Sequence, residues 1–187
     1  MPDAVPIDST RFAAEFAEAA PALHAWAHLR ARGAIRQRLD PDDLVQEIAV
    51  RACLRAADFD PALGPFRRWI FGFAHRVWLE ALRELAKDPL AARRRQGGDS
   101  QLPGIADSVT AISQRIATDE SVRATVHRLE LLPDEDRGLL VCIGLEGLSH
   151  SEAGRVLGIA EEASRKRWQR LRERLLADGD LQRLRVG

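Results

Sequence analysis

Apolar residues in this chain recur every three to four positions, and no stretch sustains the two-residue alternation of a half-buried strand. That periodicity narrows the fold more than any other feature, because a 3.6-residue repeat puts an apolar stripe along a helix and along nothing else. Ala, Leu, Arg and Glu dominate, all of them strong helix formers, and tyrosine is absent. The fold class read from this is all-α.

The helices can be placed by their ends. The first spans about Thr10 to Arg32, with Phe12, Phe16, Leu23, Trp26 and Leu29 on its apolar side, a bend expected near Pro21 and a stop at Gly33. Asp40 is suited to cap the second, Pro41 to open it, and Asp42 and Asp43 to face the positive end of its dipole. Leu44, Val45, Ile48 and Ala52 carry its core side as far as Asp60-Pro61. After a turn at 62–65, a long helix from Phe66 to about Lys87 carries Trp69, Ile70, Phe73, Val77 and Leu82. Gly97-Gly98-Asp99-Ser100 and Pro103-Gly104 break the pattern, so 96–118 is read as a flexible linker holding a short helix near Val109–Ile116. A second helical group follows at Asp119–Leu131, Pro133–Ile143, Ser149–Leu157 and Glu161–Ala177. Two small helical domains result, 10–95 and 119–178, and 187 residues leave room for both.

Acidic and basic residues total 28 each, so only their distribution can point to a charged partner. Basic clusters at 93–95 and 165–174 stand against acidic ones at Asp42-Asp43 and 134–136. Cys53 and Cys142 each sit in an apolar helical pattern and read as buried thiols. The N-terminus lacks the basic stretch and apolar core of a signal peptide. No apolar run approaches the roughly 18 residues that span a bilayer. The expected compartment is the cytoplasm, with no membrane insertion. No nucleophile–base pair, phosphate-cradling glycine loop or metal motif is visible, so the chain is expected to act by binding, without a cofactor and not as an enzyme. His24 and His28 share i, i+4 spacing, but no neighbouring Cys or acidic cluster joins them, and no metal site is read there.

The strongest local signal lies near the C-terminus. Ser149 and Glu152 have the spacing of a capping box, Gly158 suits the left-handed residue that ends a short helix, and Ile159 is placed to turn inward before a longer helix starts near Glu161. Two helices on so tight a turn make a helix–turn–helix. On the second, Ser164, Trp168, Leu171 and Leu175 fall on one face, and Arg165, Lys166, Arg167, Arg170, Arg172 and Arg174 surround it. A charge run alone is usually a solvated face. Joined to this frame, it suits a phosphate-lined major groove, where Arg also pairs with guanine edges.

Residues 132–137 and 147–172 together resemble the promoter-reading C-terminal domain, region 4, of bacterial sigma factors. In the N-terminal half, Asp42-Asp43-Leu44-Val45-Gln46-Glu47 resembles the D-D-L-V-Q-E run of sigma region 2, and residues 66–76 resemble its F-R-x-W-L-x-x-I-A-R segment. The short two-domain format is similar to that of the extracytoplasmic-function group. Val77 and Glu80 stand where the family usually has Asn and Asp, and Glu162-Ala163-Ser164 replaces a common Gly-Thr-Val.

The resemblance implies a factor that lends promoter specificity to core RNA polymerase, with an anti-sigma factor as a further partner. Asp42, Asp43, Gln46 and Glu47 would bind polymerase; Asp43 and Glu47 share a helix face, which without the resemblance would read as a solvated acidic patch. Arg67, Arg76 and Arg83 would meet the opened minus-ten element, where unpaired bases need cations and stacking planes, while Trp69 and Phe73, one turn apart, read as core. Arg165, Lys166, Gln169 and Arg170 would face the major groove of the minus-thirty-five element, with Arg172 and Arg174 on phosphates. The alternatives are a sigma-like module that only titrates an anti-sigma protein, and an ordinary helix–turn–helix regulator. The two promoter elements lie roughly 60–70 Å apart at about 3.4 Å per base pair. A linker of about 20 residues averages roughly 25 Å and reaches roughly 70 Å only when extended. The free chain is therefore expected to be compact or variable in shape, its domains able to pack together, with the linker cut first by proteases near Arg93–Gln101.

Overall fold

The structure, a computed structural model, describes residues 9–87 and 105–185, and no strand occurs among them. The N-terminal half supplies α1 (Ser9–Arg30), α2 (Pro41–Leu54) and α3 (Phe66–Lys87). The C-terminal half supplies α4 (Ile105–Thr118), α5 (Glu120–Glu130), α6 (Asp134–Leu139), a π-helical segment Leu140–Leu145, α7 (His150–Leu157), α8 (Glu161–Ala177) and α9 (Asp180–Arg183).

α1 continues through Pro21 as one helix. Its buried residues are not confined to one stripe: Phe12, Phe16, Ala22, Leu23, Ala25, Trp26 and Ala27 are all fully enclosed. The reason is its position. α2 and α3 pack on it from its own half, and α4, α5 and residues 140–145 from the other. Each large side chain so buried contributes about 1.5–3 kcal/mol, which makes α1 the axis of the molecule. α2 starts as its sequence dictates: Asp40 accepts the Asp42 N–H at 2.8 Å, and Pro41 opens the first turn. Cys53 and Cys142 are buried free thiols, and burial foremost pushes Cys142 up to about 11.

Part of the expected linker is helix. Residues 105–118 form α4, longer than the helix expected over Val109–Ile116, and it packs on α1 and α2 with Val109 fully buried. Residues 96–104, the basic cluster at 93–95 and the expected cleavage segment lie outside the described residues.

The two halves meet through ion pairs that sequence spacing could not reveal. Glu146, in the turn after the π-helical segment, accepts from Trp26 Nε1 at 2.7 Å and from Arg30 Nε at 3.1 Å. Glu130, at the end of α5, pairs with Arg36 through its carboxylate and takes Arg32 on its backbone carbonyl at 3.2 Å. Arg185 pairs with Glu18 on α1, and its carbonyl accepts from Arg67 Nη1 at 3.3 Å. α9, beyond the expected end of the second domain, is held by Asp180, which pairs with Arg128 of α5.

Candidate nucleic-acid and protein interfaces

The helix–turn–helix is built by the residues that announced it. Ser149 Oγ accepts the Glu152 N–H at 3.2 Å, and Glu152 returns a carboxylate to the Ser149 N–H at 2.9 Å. Those Ser149 contacts hold the Glu152 carboxyl below the usual carboxylate range. Gly158 ends α7 in the left-handed region at φ 68°. Gly154 is needed for another reason: a Cβ there would lie 2.7 Å from the Ile159 carbonyl oxygen. The turn between α7 and α8 closes over that glycine.

On α8, Ser164, Leu171 and Leu175 are buried and Trp168 is half-buried, as their spacing predicts. Trp168 lies against Gly144 of the π-helical segment, where a Cβ would come within 2.8 Å of the indole. Arg165, Lys166, Gln169, Arg170, Arg172 and Arg174 are all exposed. Several are already engaged within the protein. Arg165 pairs with Glu161 at 2.7 Å and Glu162 at 3.4 Å, and Lys166 with Glu162 at 3.3 Å. Gln169 donates to Glu173 at 3.3 Å, and Arg170 donates to the Lys166 carbonyl at 3.4 Å. Arg174 bonds Asp136 at 2.6 Å, beside Arg167 at 2.9 Å. Burial disfavours the charge on Asp136, but the bonds from Arg167 and Arg174 outweigh it and keep the carboxyl below its usual range. Asp136 thus turns Arg174 toward α6, a placement invisible in the basic run itself.

The acidic run on α2 divides in the same way. Asp43 is exposed, whereas Asp42, Gln46 and Glu47 are half-buried. Glu47 pairs with Arg51 at 2.6 Å, and Arg51 also pairs with Glu80 of α3, so two acids and one guanidinium tie these helices together. Asp42 turns toward α1: its Oδ1 is 3.1 Å from His24 Nδ1 and 3.5 Å from His28 Nε2. His24 foremost, and then His28, hold its carboxyl well below the usual range against the cost of burial. Residues adjacent in a helix point about 100° apart, so Asp42 and Asp43 cannot share one open face. The reading that no acid joins His24 and His28 is corrected here, since the acid comes from another helix.

On α3, Phe66 is buried and Trp69 and Phe73 are half-buried, Trp69 and Phe73 with ring centres 4.7 Å apart. Trp69 also meets Phe59 at 5.6 Å and Phe12 at 6.3 Å, consistent with a core role. Arg76 is exposed and lies over the Phe73 ring at 4.6 Å, and Arg83 is exposed. Arg67 differs from both. It is half-buried, stacked over Phe71 at 5.1 Å and covered by the Arg185 carbonyl. The expected open contact at Arg67 is closed in this arrangement.

The family description Sigma-70 region 2 matches residues 16–87, the span that holds α2 and α3. The chain is 32% identical over 143 residues to the RNA polymerase sigma factor CnrH of Cupriavidus metallidurans, covering 74% of this chain and 72% of that protein. It is 28% identical over 154 residues to the ECF RNA polymerase sigma factor SigM of Mycobacterium tuberculosis, covering 81% and 70%. It is 29% identical over 140 residues to the ECF RNA polymerase sigma factor SigE of Mycolicibacterium smegmatis, covering 73% and 50%. No solved structure matches the chain. The chain belongs to the ECF group of RNA polymerase sigma factors.

Proposed function

We propose that this chain binds core RNA polymerase and directs it to particular promoters, leaving all catalysis to the polymerase. The observation that carries the reading is the pairing of a matched sigma region 2 over residues 16–87 with a capped helix–turn–helix whose second helix exposes Arg165, Lys166, Gln169 and Arg170. In this reading α8 lies in the major groove of the minus-thirty-five element. Arg165, Lys166, Gln169 and Arg170 read base edges, and Arg172 and Arg174 hold phosphates. Arg76, which lies over the Phe73 ring, and Arg83 meet the opened minus-ten strand as cations for its backbone. Arg67 joins them once the C-terminal residues move off it.

Asp43 leads the contact with polymerase, with Gln46 and Glu47 beside it and Asp42 in reserve behind them. An anti-sigma protein is a fitting second partner, since whatever covers these same surfaces silences the factor. The cytoplasm is the compartment this role requires, and no helix among the described residues is long and apolar enough to cross a membrane.

Run-off transcription with purified core polymerase over genomic promoter fragments tests the proposal. Core plus this chain is expected to give discrete transcripts that core alone does not. Retained core binding with no transcript from any fragment would favour the anti-sigma-titrating module. Tight sequence-specific DNA binding without core would favour an ordinary regulator.

A further inference from the structure

His24 and His28 stand one turn apart on α1, and the start of α2 delivers Asp42 to the same point. One donor atom from each residue lies within 4.8 Å of the other two. The His24 Nδ1–Asp42 Oδ1 and His28 Nε2–Asp42 Oδ1 separations are 3.1 and 3.5 Å. An ion with four ligands at zinc–nitrogen and zinc–oxygen distances has ligand–ligand edges of about 3.3 Å, between those two values. The site is also short of hydrogen bonds. His28 Nε2 and Asp42 Oδ1 are both buried, and although they approach each other and His24, neither makes a well-directed hydrogen bond. Buried polar atoms left this way are costly, and an ion at their centre would satisfy them together.

The surroundings complete the pattern. The far nitrogen of His28, Nδ1, faces Glu130 Oε1 at 4.0 Å and Arg36 Nη2 at 3.2 Å. A metal-bound imidazole places its remaining ring proton on a carboxylate. Arg36 can only donate to Nδ1, so an ion at Nε2 moves the ring proton to Nδ1 and exchanges Arg36 there for Glu130, the carboxylate Arg36 already pairs with. Glu130 ends α5, so the ion's outer shell reaches the other half of the molecule.

We propose that His24, His28 and Asp42 form a binding site for a divalent first-row transition ion of the zinc class, with water in the fourth position and Glu130 orienting His28. Two imidazoles and one carboxylate are a borderline donor set, suited to Zn2+ or Co2+ and unsuited to the all-oxygen preference of Mg2+ or Ca2+. Ion binding draws Glu130 onto His28 and thereby tightens the seam between the two halves.

The test uses the untagged full-length chain, stripped with a chelator and studied without polymerase, so its outcome is independent of the proposed function. Zn2+ titrated against a chromophoric chelator should bind at one equivalent per chain, and Co2+ should give the visible absorption of a four-coordinate site. His28→Gln should weaken Zn2+ by more than about 100-fold with the helical circular dichroism unchanged, and Glu130→Gln by about 10–100-fold. His127→Gln, on the exposed side of α5, should bind as wild type. His24 is buried, so His28 and Asp42 are the positions to change. Sub-stoichiometric Zn2+ in the wild type, or unchanged binding in both His28→Gln and Asp42→Asn, overturns the site. Unchanged affinity in Glu130→Gln overturns its link to the second half.

Discussion

Asp136 shows how one residue can hold a recognition helix. Its carboxylate accepts from Arg167 and Arg174, and its folded-state value is depressed below the ordinary Asp value of about 3.9. A depressed carboxylate contributes stability that is fully present above its unfolded value and is lost as pH falls through the folded one. Stability should therefore decline below about pH 4, and Asp136→Asn should flatten that part of the curve. Both guanidiniums are partly solvated, so the variant should lose about 1–2 kcal/mol at neutral pH in denaturant unfolding. On α2, Asp43→Arg probes polymerase binding at the exposed position of the acidic run. Core affinity should fall about tenfold or more, with the helical circular dichroism unchanged. Core pull-down unchanged by that reversal would remove Asp43 from the interface. On α8, Arg165→Ala should cost about 1–3 kcal/mol on the preferred promoter and relax preference at one base pair. Arg172→Ala should instead weaken all sequences alike and flatten the salt dependence.

Among the elements, the α7–α8 turn is the least tolerant. Gly154→Ala places a methyl 2.7 Å from a backbone oxygen, which no side-chain rotation relieves. Loss of about 1–3 kcal/mol is expected, read by thermal or urea unfolding, together with weaker minus-thirty-five binding as α8 swings out of register. Gly158 makes a different demand. It supplies a left-handed residue, and open space surrounds its missing side chain. Both glycines were visible in the sequence, but only Gly158 declared its reason there, because a close backbone approach leaves no local pattern.

For the whole molecule, the seam between the halves sets what the free protein can do. Glu146 serves Trp26 and Arg30 at once, and its side chain is only 7% exposed. Glu146→Ala strands a buried indole N–H and an arginine, so the halves should part more readily. Small-angle scattering should record a larger radius, and promoter fragments should bind the isolated variant more tightly than wild type, since parting uncovers Arg67. A variant that expands without gaining DNA affinity would show that the closed seam does not restrain binding. Partner-induced opening also fits the roughly 60–70 Å between the two promoter elements, which neither small domain bridges alone.

Periodicity, caps and turn residues determine the local structure by rules that act within a few positions. They sufficed for the all-α class, the start of α2, both ends of α7, the core face of α8 and the two region 2 motifs within the family match, but not for the end of α2, which stops at Leu54 rather than near Asp60. Tertiary structure decided everything that depends on residues far apart in sequence. It enclosed α1 from Ala19 onward, made α4 a packed helix within the expected linker, turned Arg174 onto Asp136 and covered Arg67 with the C-terminal end. It also brought Asp42 to His24 and His28. Two histidines one turn apart are an ordinary helical pattern, and an acid 14 residues beyond the second becomes a ligand only after α2 folds back on α1. Local rules fix which way a side chain leaves its own helix; what it meets there depends on the packing of the others.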